Sequence, residues 1–315
     1  MALTGLEREF IRKYEHIDHA KACEYFNTHL KEMVTKGEMF AAIRENTLDF
    51  YHLGRRTVRR TKDKYTTNKF YIEQEGTVGS AETSLSPDEC LQKHSTLLRK
   101  CEEKAKDSGR EARQISKLYK QYSFLSRHSD TDKPILIDIE VRFASLCDDA
   151  KDAANDRIDL VFFMPKKNAL MFVEVKRRKD SRIRAAKDKK PEVMEQVNLY
   201  QNQIKERKEK IIEAYKNVAK TMNAIFGCSF PEPTDVIPVV PILVVNDPGE
   251  DTTDKSPKRN VRDTWLEPAL ASLGNNQIWE KDGIRLIDGR EIFNDRGDKM
   301  PELARILEEI SEEKQ

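Results

Sequence analysis

Two apolar runs near the middle of the chain carry charge where a buried strand should carry none. They are Ile158-Asp159-Leu160-Val161-Phe162-Phe163 and Leu170-Met171-Phe172-Val173-Glu174-Val175-Lys176. A buried carboxylate is costly unless it is paired or holds a metal. Asp159, Glu174 and Lys176 therefore read as a site, in the D…ExK arrangement suited to metal-dependent phosphodiester hydrolysis. Carboxylates can hold a divalent ion that stabilises charge on a phosphate and lowers the pKa of a bound water. Hard oxygen ligands select Mg²⁺ or Mn²⁺. Glu174 and Lys176 are two apart on one strand and share a face. Asp159 lies on the preceding strand, joined by a segment short enough for a hairpin. The main-chain carbonyl of Val175 is a further candidate ligand. Lys176 would orient the attacking water or stabilise the developing negative charge.

The ExK spacing alone is weak. Glu102/Lys104, Glu206/Lys208 and Glu312/Lys314 share it, but they lie in charged helical stretches and read as solvated faces. Only Glu174/Lys176 is set in an apolar strand that follows an aspartate strand. Gln196 and Tyr200, one helical turn apart downstream, form the only Q-x-x-x-Y of the chain. Between strand and helix runs a dense basic segment, with Arg177, Arg178, Lys179, Arg182 and Arg184 followed by Lys187, Lys189 and Lys190. Beside a metal site it reads as a phosphate track, and by itself as a solvated loop. A second basic strip, with Arg59 and Arg60 at its centre and Tyr65, Phe70 and Tyr71 interleaved, is a candidate strand-tracking surface or an exposed hairpin.

Arg157-Ile158-Asp159-Leu160-Val161, Val173-Glu174-Val175-Lys176 and Gln196-x-x-x-Tyr200 together resemble the PD-(D/E)xK nuclease superfamily. The last motif is most similar to its RecB-type and phage-exonuclease-like branches. The resemblance implies an α/β fold, with a mixed central sheet flanked by helices, restriction-endonuclease-like. It implies Asp159 and Glu174 as metal ligands and Lys176 as the catalytic lysine. Gln196 and Tyr200 would support the site or contact DNA, and Glu140 is the candidate for an additional acid upstream. No proline precedes Asp159, and the cysteine cluster of some RecB-like members is missing. The resemblance covers about residues 133–245 and leaves residues 1–126 unassigned.

The chain has 315 residues and a formal net charge of +1. That excludes a uniformly basic nucleic-acid binder and leaves phosphate affinity to local clusters. Cys23, Cys90, Cys101, Cys147 and Cys228 are scattered, without a C-x-x-C pair, which argues against a zinc knuckle. Met1 to Phe10 lacks an apolar signal core, and no apolar run reaches membrane-spanning length. A cytoplasmic protein is expected. All histidines precede residue 129, so the site has no histidine base to use.

The expected organisation is a mainly helical accessory domain over 1–130 and a nuclease domain over 131–315. Residues 9–51 and 88–126 read as helical, 57–61 and 68–72 as a small hairpin, and 75–88 as a loop. Strands follow over 135–144 and through the two motif runs. A long helix covers 191–226, a continuous buried strand 236–245, a polar loop 246–262, a strand 283–287 and a closing helix 300–313. The accessory domain would choose the substrate, hold a partner or mediate self-association. The expected function is a Mg²⁺-dependent DNA nuclease acting on double- or single-stranded DNA, leaning toward a phage-defence or restriction effector. The alternative is a catalytically silent nuclease fold that binds nucleic acid or scaffolds a complex.

Overall fold

The computed structural model of the chain describes residues 10–72, 81–107, 110–125, 132–142, 157–185, 189–245, 265–272, 278–281, 283–289, 292 and 300–312. The chain divides into two compact units, one of Phe10–Thr131 with Glu213–Pro233 and one of Asp132–Ile212 with Thr234–Gln315, which also takes Met1–Glu9. Each unit has its own sheet, and among the described residues there are eight α-helices. No helix of the described residues is long and apolar enough to cross a membrane.

The first unit combines its helices with a sheet. It holds a five-stranded antiparallel meander: β1 (Met39–Arg44), β2 (Thr47–His52), β3 (Arg55–Arg60), β4 (Tyr65–Asn68) and β5 (Glu82–Leu85). Helices α1 (Ile17–Lys21), α2 (Lys31–Thr35), α3 (Pro87–Asp107) and α4 (Arg110–Tyr122) accompany it. Residues 39–51, expected as helix, belong to the β1–β2 hairpin instead. Phe40 and Ile43 are spaced as on a helix, but β1 and β2 are buried on nearly every residue, so no polar alternation marks them as strands. Leu53 and Gly54 make the two-residue turn from β2 to β3, and both have positive φ, 50° and 76°. That pairing of left-handed residues matches the twist of a tight hairpin. A Cβ at Gly54 would overlap the Ala112 carbonyl, and one at Gly37 the Lys120 backbone, so α4 packs directly on main chain at both turns. Strand β5 occupies part of the expected 75–88 loop.

The second unit carries a seven-stranded mixed sheet. Its strands are β6 (Ile135–Arg142), β7 (Arg157–Met164), β8 (Ala169–Arg177), β9 (Asp235–Ile237), β10 (Ile242–Val245), β11 (Ile278–Lys281) and β12 (Ile284–Asp288). The order is β11-β12-β10-β8-β7-β6, with β9 beside the start of β8. The β6–β7–β8 meander is antiparallel, and β8 pairs with β10 in parallel. A parallel pair needs a long crossover. Here it contains α5 (Glu192–Glu206) and α6 (Lys208–Phe226), two helices rather than one, separated at Arg207 with φ −112°. The expected continuous strand 236–245 is likewise two short ones, because Pro238 and Pro241 between them lack the N–H a ladder needs. Helices α7 (Leu266–Ser272) and α8 (Met300–Glu312) complete the unit. The polar loop 246–262 lies outside the described residues.

Candidate active site

Strands β7 and β8 pair from Met164–Ala169 up to Leu160–Val173, and there the ladder stops. One step further along the same register, Asp159 is level with Glu174. Main-chain pairing gives way to a side chain at this point: the Val175 amide donates to Asp159 Oδ2 at 2.7 Å. Beyond it β8 pairs with β10, with Glu174 opposite Ile242 and Lys176 opposite Val244. On the other side of β7, Ile139 faces Leu160 and Val141 faces Ile158, which sets Glu140 level with Asp159. Three acids, Glu140, Asp159 and Glu174, therefore share one level across three strands. One level on, Arg142 faces Arg157, and the β7–β8 register brings Lys176 to that level too. A row of acids is followed by a row of bases.

Glu174 and Lys176 are 1% and 2% exposed, and Lys176 Nζ is bonded to Glu174 Oε1. The pairing offsets the desolvation that either charge alone would suffer. Asp159 is half-buried.

Glu140 departs from the strand around it. Its φ is 51°, a left-handed value that costs a bulky residue energy and tends to gather at functional sites. Its carboxylate is bonded to Arg157 Nη1 at 3.3 Å. Asp138, two residues before it, is fully buried, and its Oδ1 accepts from the Ile139 amide at 2.8 Å.

Gln196 and Tyr200 meet as their spacing requires. Gln196 Nε2 donates to Tyr200 Oη at 2.6 Å, and the Tyr200 hydroxyl donates to the Arg157 carbonyl at 2.9 Å. Tyr200 is fully buried. The two side chains thus hold the main chain two residues before Asp159. In the sequence Arg157 stands at the head of the motif run with no role assigned to it.

The basic segment after β8 is folded upon itself. Asp180 accepts from the Arg182 amide at 2.9 Å and from its guanidinium at 3.0 and 2.6 Å. Burial pushes the Asp180 carboxyl up, but these bonds outweigh it and the net direction is down. Arg184 donates twice to the Arg178 carbonyl, at 3.2 and 2.8 Å. Arg182 and Arg184 thus shape the loop. Lys179 is exposed, and Arg177 and Arg178 are half-buried. Lys187 lies outside the described residues.

The basic strip of the first unit is corrected by its geometry. Arg60 is 2% exposed. Its guanidinium donates to Tyr14 Oη at 3.2 Å, to Tyr65 Oη, and to the carbonyls of His19 and Lys62 at 2.8 and 3.2 Å. It belongs to the core and cannot track a nucleic-acid strand. Arg59 grips the buried Asp49 with two bonds of 2.6 and 2.8 Å, and Arg56 pairs with Glu82.

Among the described residues, no three His, Cys, Asp or Glu side chains converge to hold a metal ion. The acidic row offers two carboxylates, Asp159 and Glu174, on neighbouring strands, while Glu140 turns to Arg157. Two hard oxygen donors suit Mg²⁺, which takes one or two carboxylates and completes its shell with waters and substrate phosphates. The chain matches no family model, no curated protein and no solved structure.

Proposed function

We propose that the second unit is a divalent-metal-dependent nuclease that hydrolyses DNA phosphodiester bonds, built as the PD-(D/E)xK resemblance implies. The observation that carries this reading is the meeting of Asp159 and Glu174 at one level where the β7–β8 ladder ends, with Lys176 bonded to Glu174. Asp159 and Glu174 would hold Mg²⁺ or Mn²⁺, with the Val175 carbonyl as a further ligand. The bound ion supplies Lewis acidity and a water of lowered pKa. Lys176 exchanges Glu174 for the reacting phosphate or the attacking water. Tyr200 and Gln196 hold the strand that carries Asp159. Arg177, Arg178 and Lys179 receive the neighbouring backbone phosphates. The first unit serves substrate choice, partner binding or self-association, an arrangement that suits a defence or restriction effector.

A second reading, a catalytically silent nuclease fold that binds nucleic acid or scaffolds a complex, is favoured by the burial of the Glu174–Lys176 pair. At 1% and 3% side-chain exposure the two neutralise each other. Cleavage of linear duplex, closed-circular and single-stranded DNA with Mg²⁺ or Mn²⁺ decides between the two. The nuclease reading expects metal-dependent cutting that Lys176→Met abolishes, and circle cutting marks an endonuclease. Absence of cutting on every substrate and with both metals, by chain that binds DNA, leaves the silent fold standing.

A further inference from the structure

Each of two bases in the row Arg142, Arg157 and Lys176 is held by an acid of the neighbouring row. Glu174 holds Lys176 and Glu140 holds Arg157, but the two pairs differ in kind. The first is buried. The second has side chains 44% and 36% exposed and a single contact of 3.3 Å through one guanidinium nitrogen. Such an exposed pair is weak and easily exchanged. Glu140 is level with Asp159, yet its left-handed backbone accompanies a carboxylate that lies on Arg157, one level along. Arg157 is held more firmly at its main chain, where Tyr200 bonds its carbonyl. Its side chain rises two residues from Asp159, on the same strand face.

We propose that Arg157 is a phosphate-binding residue of this site, and that Glu140 occupies it when no nucleic acid is bound. The proposal rests on the nuclease reading and extends it by naming how the backbone is gripped. A guanidinium matches two phosphate oxygens at once, a geometry the single Glu140 contact does not use. An incoming phosphodiester takes the guanidinium from Glu140 and so lies across the Asp159–Glu174 level. Until it does, the Glu140 charge repels it. Glu140 is therefore a built-in competitor that lowers affinity for nucleic acid.

The test is fluorescence anisotropy of a fluorescein-labelled DNA duplex with the full chain, in EDTA, over a salt series. Glu140→Gln is expected to tighten binding roughly two- to fivefold. Arg157→Gln is expected to weaken it and to reduce the salt slope by about one. Arg157→Lys retains the charge and loses the fork, so affinity falls while the slope stays. With Arg157→Gln in place, Glu140→Gln should have no further effect. Tightening that persists there means general repulsion and overturns the proposal, as does a parental slope in Arg157→Gln. Thermal melting of each variant separates misfolding from lost contact, and Arg157→Lys carries the test if Arg157→Gln melts early. If the parent chain cuts DNA but binds it independently of Arg157, only this inference falls. A parent chain that neither binds nor cuts DNA removes the nuclease reading and this inference with it.

Discussion

The Tyr200 hydroxyl is bonded to the main-chain carbonyl of Arg157, two residues before Asp159, and Gln196 holds the hydroxyl in place. A helix thereby sets the position of a strand whose own ladder to β8 ends at Leu160. Tyr200→Phe removes the donor and nothing else. It should cost about 0.5–1.5 kcal/mol by removing two part-buried hydrogen bonds, seen as a lower urea midpoint. Under the nuclease reading it should also slow cleavage, because Asp159 loses its fixed position.

Lys176 and Glu174 should be sensitive one at a time and tolerant together. Lys176→Met leaves a buried carboxylate uncompensated and should cost about 3–5 kcal/mol. The double variant Glu174→Gln/Lys176→Met should recover most of that loss while remaining inactive. If Glu174 is a metal ligand, Mg²⁺ or Mn²⁺ should raise the melting temperature of Lys176→Met more than that of the parent chain. An equal rise in both would exclude Glu174 from metal binding.

Gly54→Ala should destabilise the first unit. The position has φ 76°, and a Cβ there would overlap the Ala112 carbonyl of α4. Conformational strain and steric displacement act in the same direction, so the loss should exceed about 1 kcal/mol. Thermal melting followed by circular dichroism would show it.

Acid should weaken the fold through His94. Its ring nitrogen is 3.2 Å from the Tyr25 hydroxyl and its ring 4.4 Å from that of His29. Burial first, then His29 and His52, push its pKa from 6.5 down to about 4. The unfolded chain therefore takes up this proton at higher pH than the folded chain does. His94's contribution is complete above about 6.5, shrinks as the pH falls toward about 4, and levels off below that. Urea midpoints across this window should fall in the parent chain and fall less in His94→Gln.

Cys23 should be the described thiol that alkylates first. Burial pushes it up, but the bonds from Tyr65 and the Phe26 amide, together with Arg60, outweigh it and lower it overall. Burial holds Cys90 up at about 12 and Cys228 at about 11, and it raises Cys101 as well. Iodoacetamide at about pH 8, read by peptide mass mapping, should label Cys23 ahead of the other three.

The meeting of Asp159, Glu174 and Lys176 was legible because charge inside an apolar run is conspicuous and a hairpin leaves few registers. The contact between Gln196 and Tyr200 followed from one helical turn. Other features carry no such mark. The left-handed backbone of Glu140 is invisible in a residue that seldom adopts it. Arg157 gains meaning only from a tyrosine more than forty residues away. Residues 39–51 misled because β1 and β2 are buried on nearly every residue, so period-two polarity never appears. Arg60 misled for a related reason. Arginine on an edge of sequence looks solvated, but alternation along β3 turns this one inward against two tyrosines.

Strands β7 and β8 are apolar on both faces. Sliding one past the other by a single residue would exchange one greasy surface for another, with little penalty from hydrophobicity itself. What distinguishes the native alignment is the turn at Pro165–Asn168, where Asn168 is left-handed, and the polar interruptions at Asp159, Glu174 and Lys176. The groups assigned to chemistry are thus also the rulings by which the sheet is aligned. Inserting one residue into that turn should scatter the charged levels while leaving the core as oily as before, so the unit would lose its identity before it lost its cohesion.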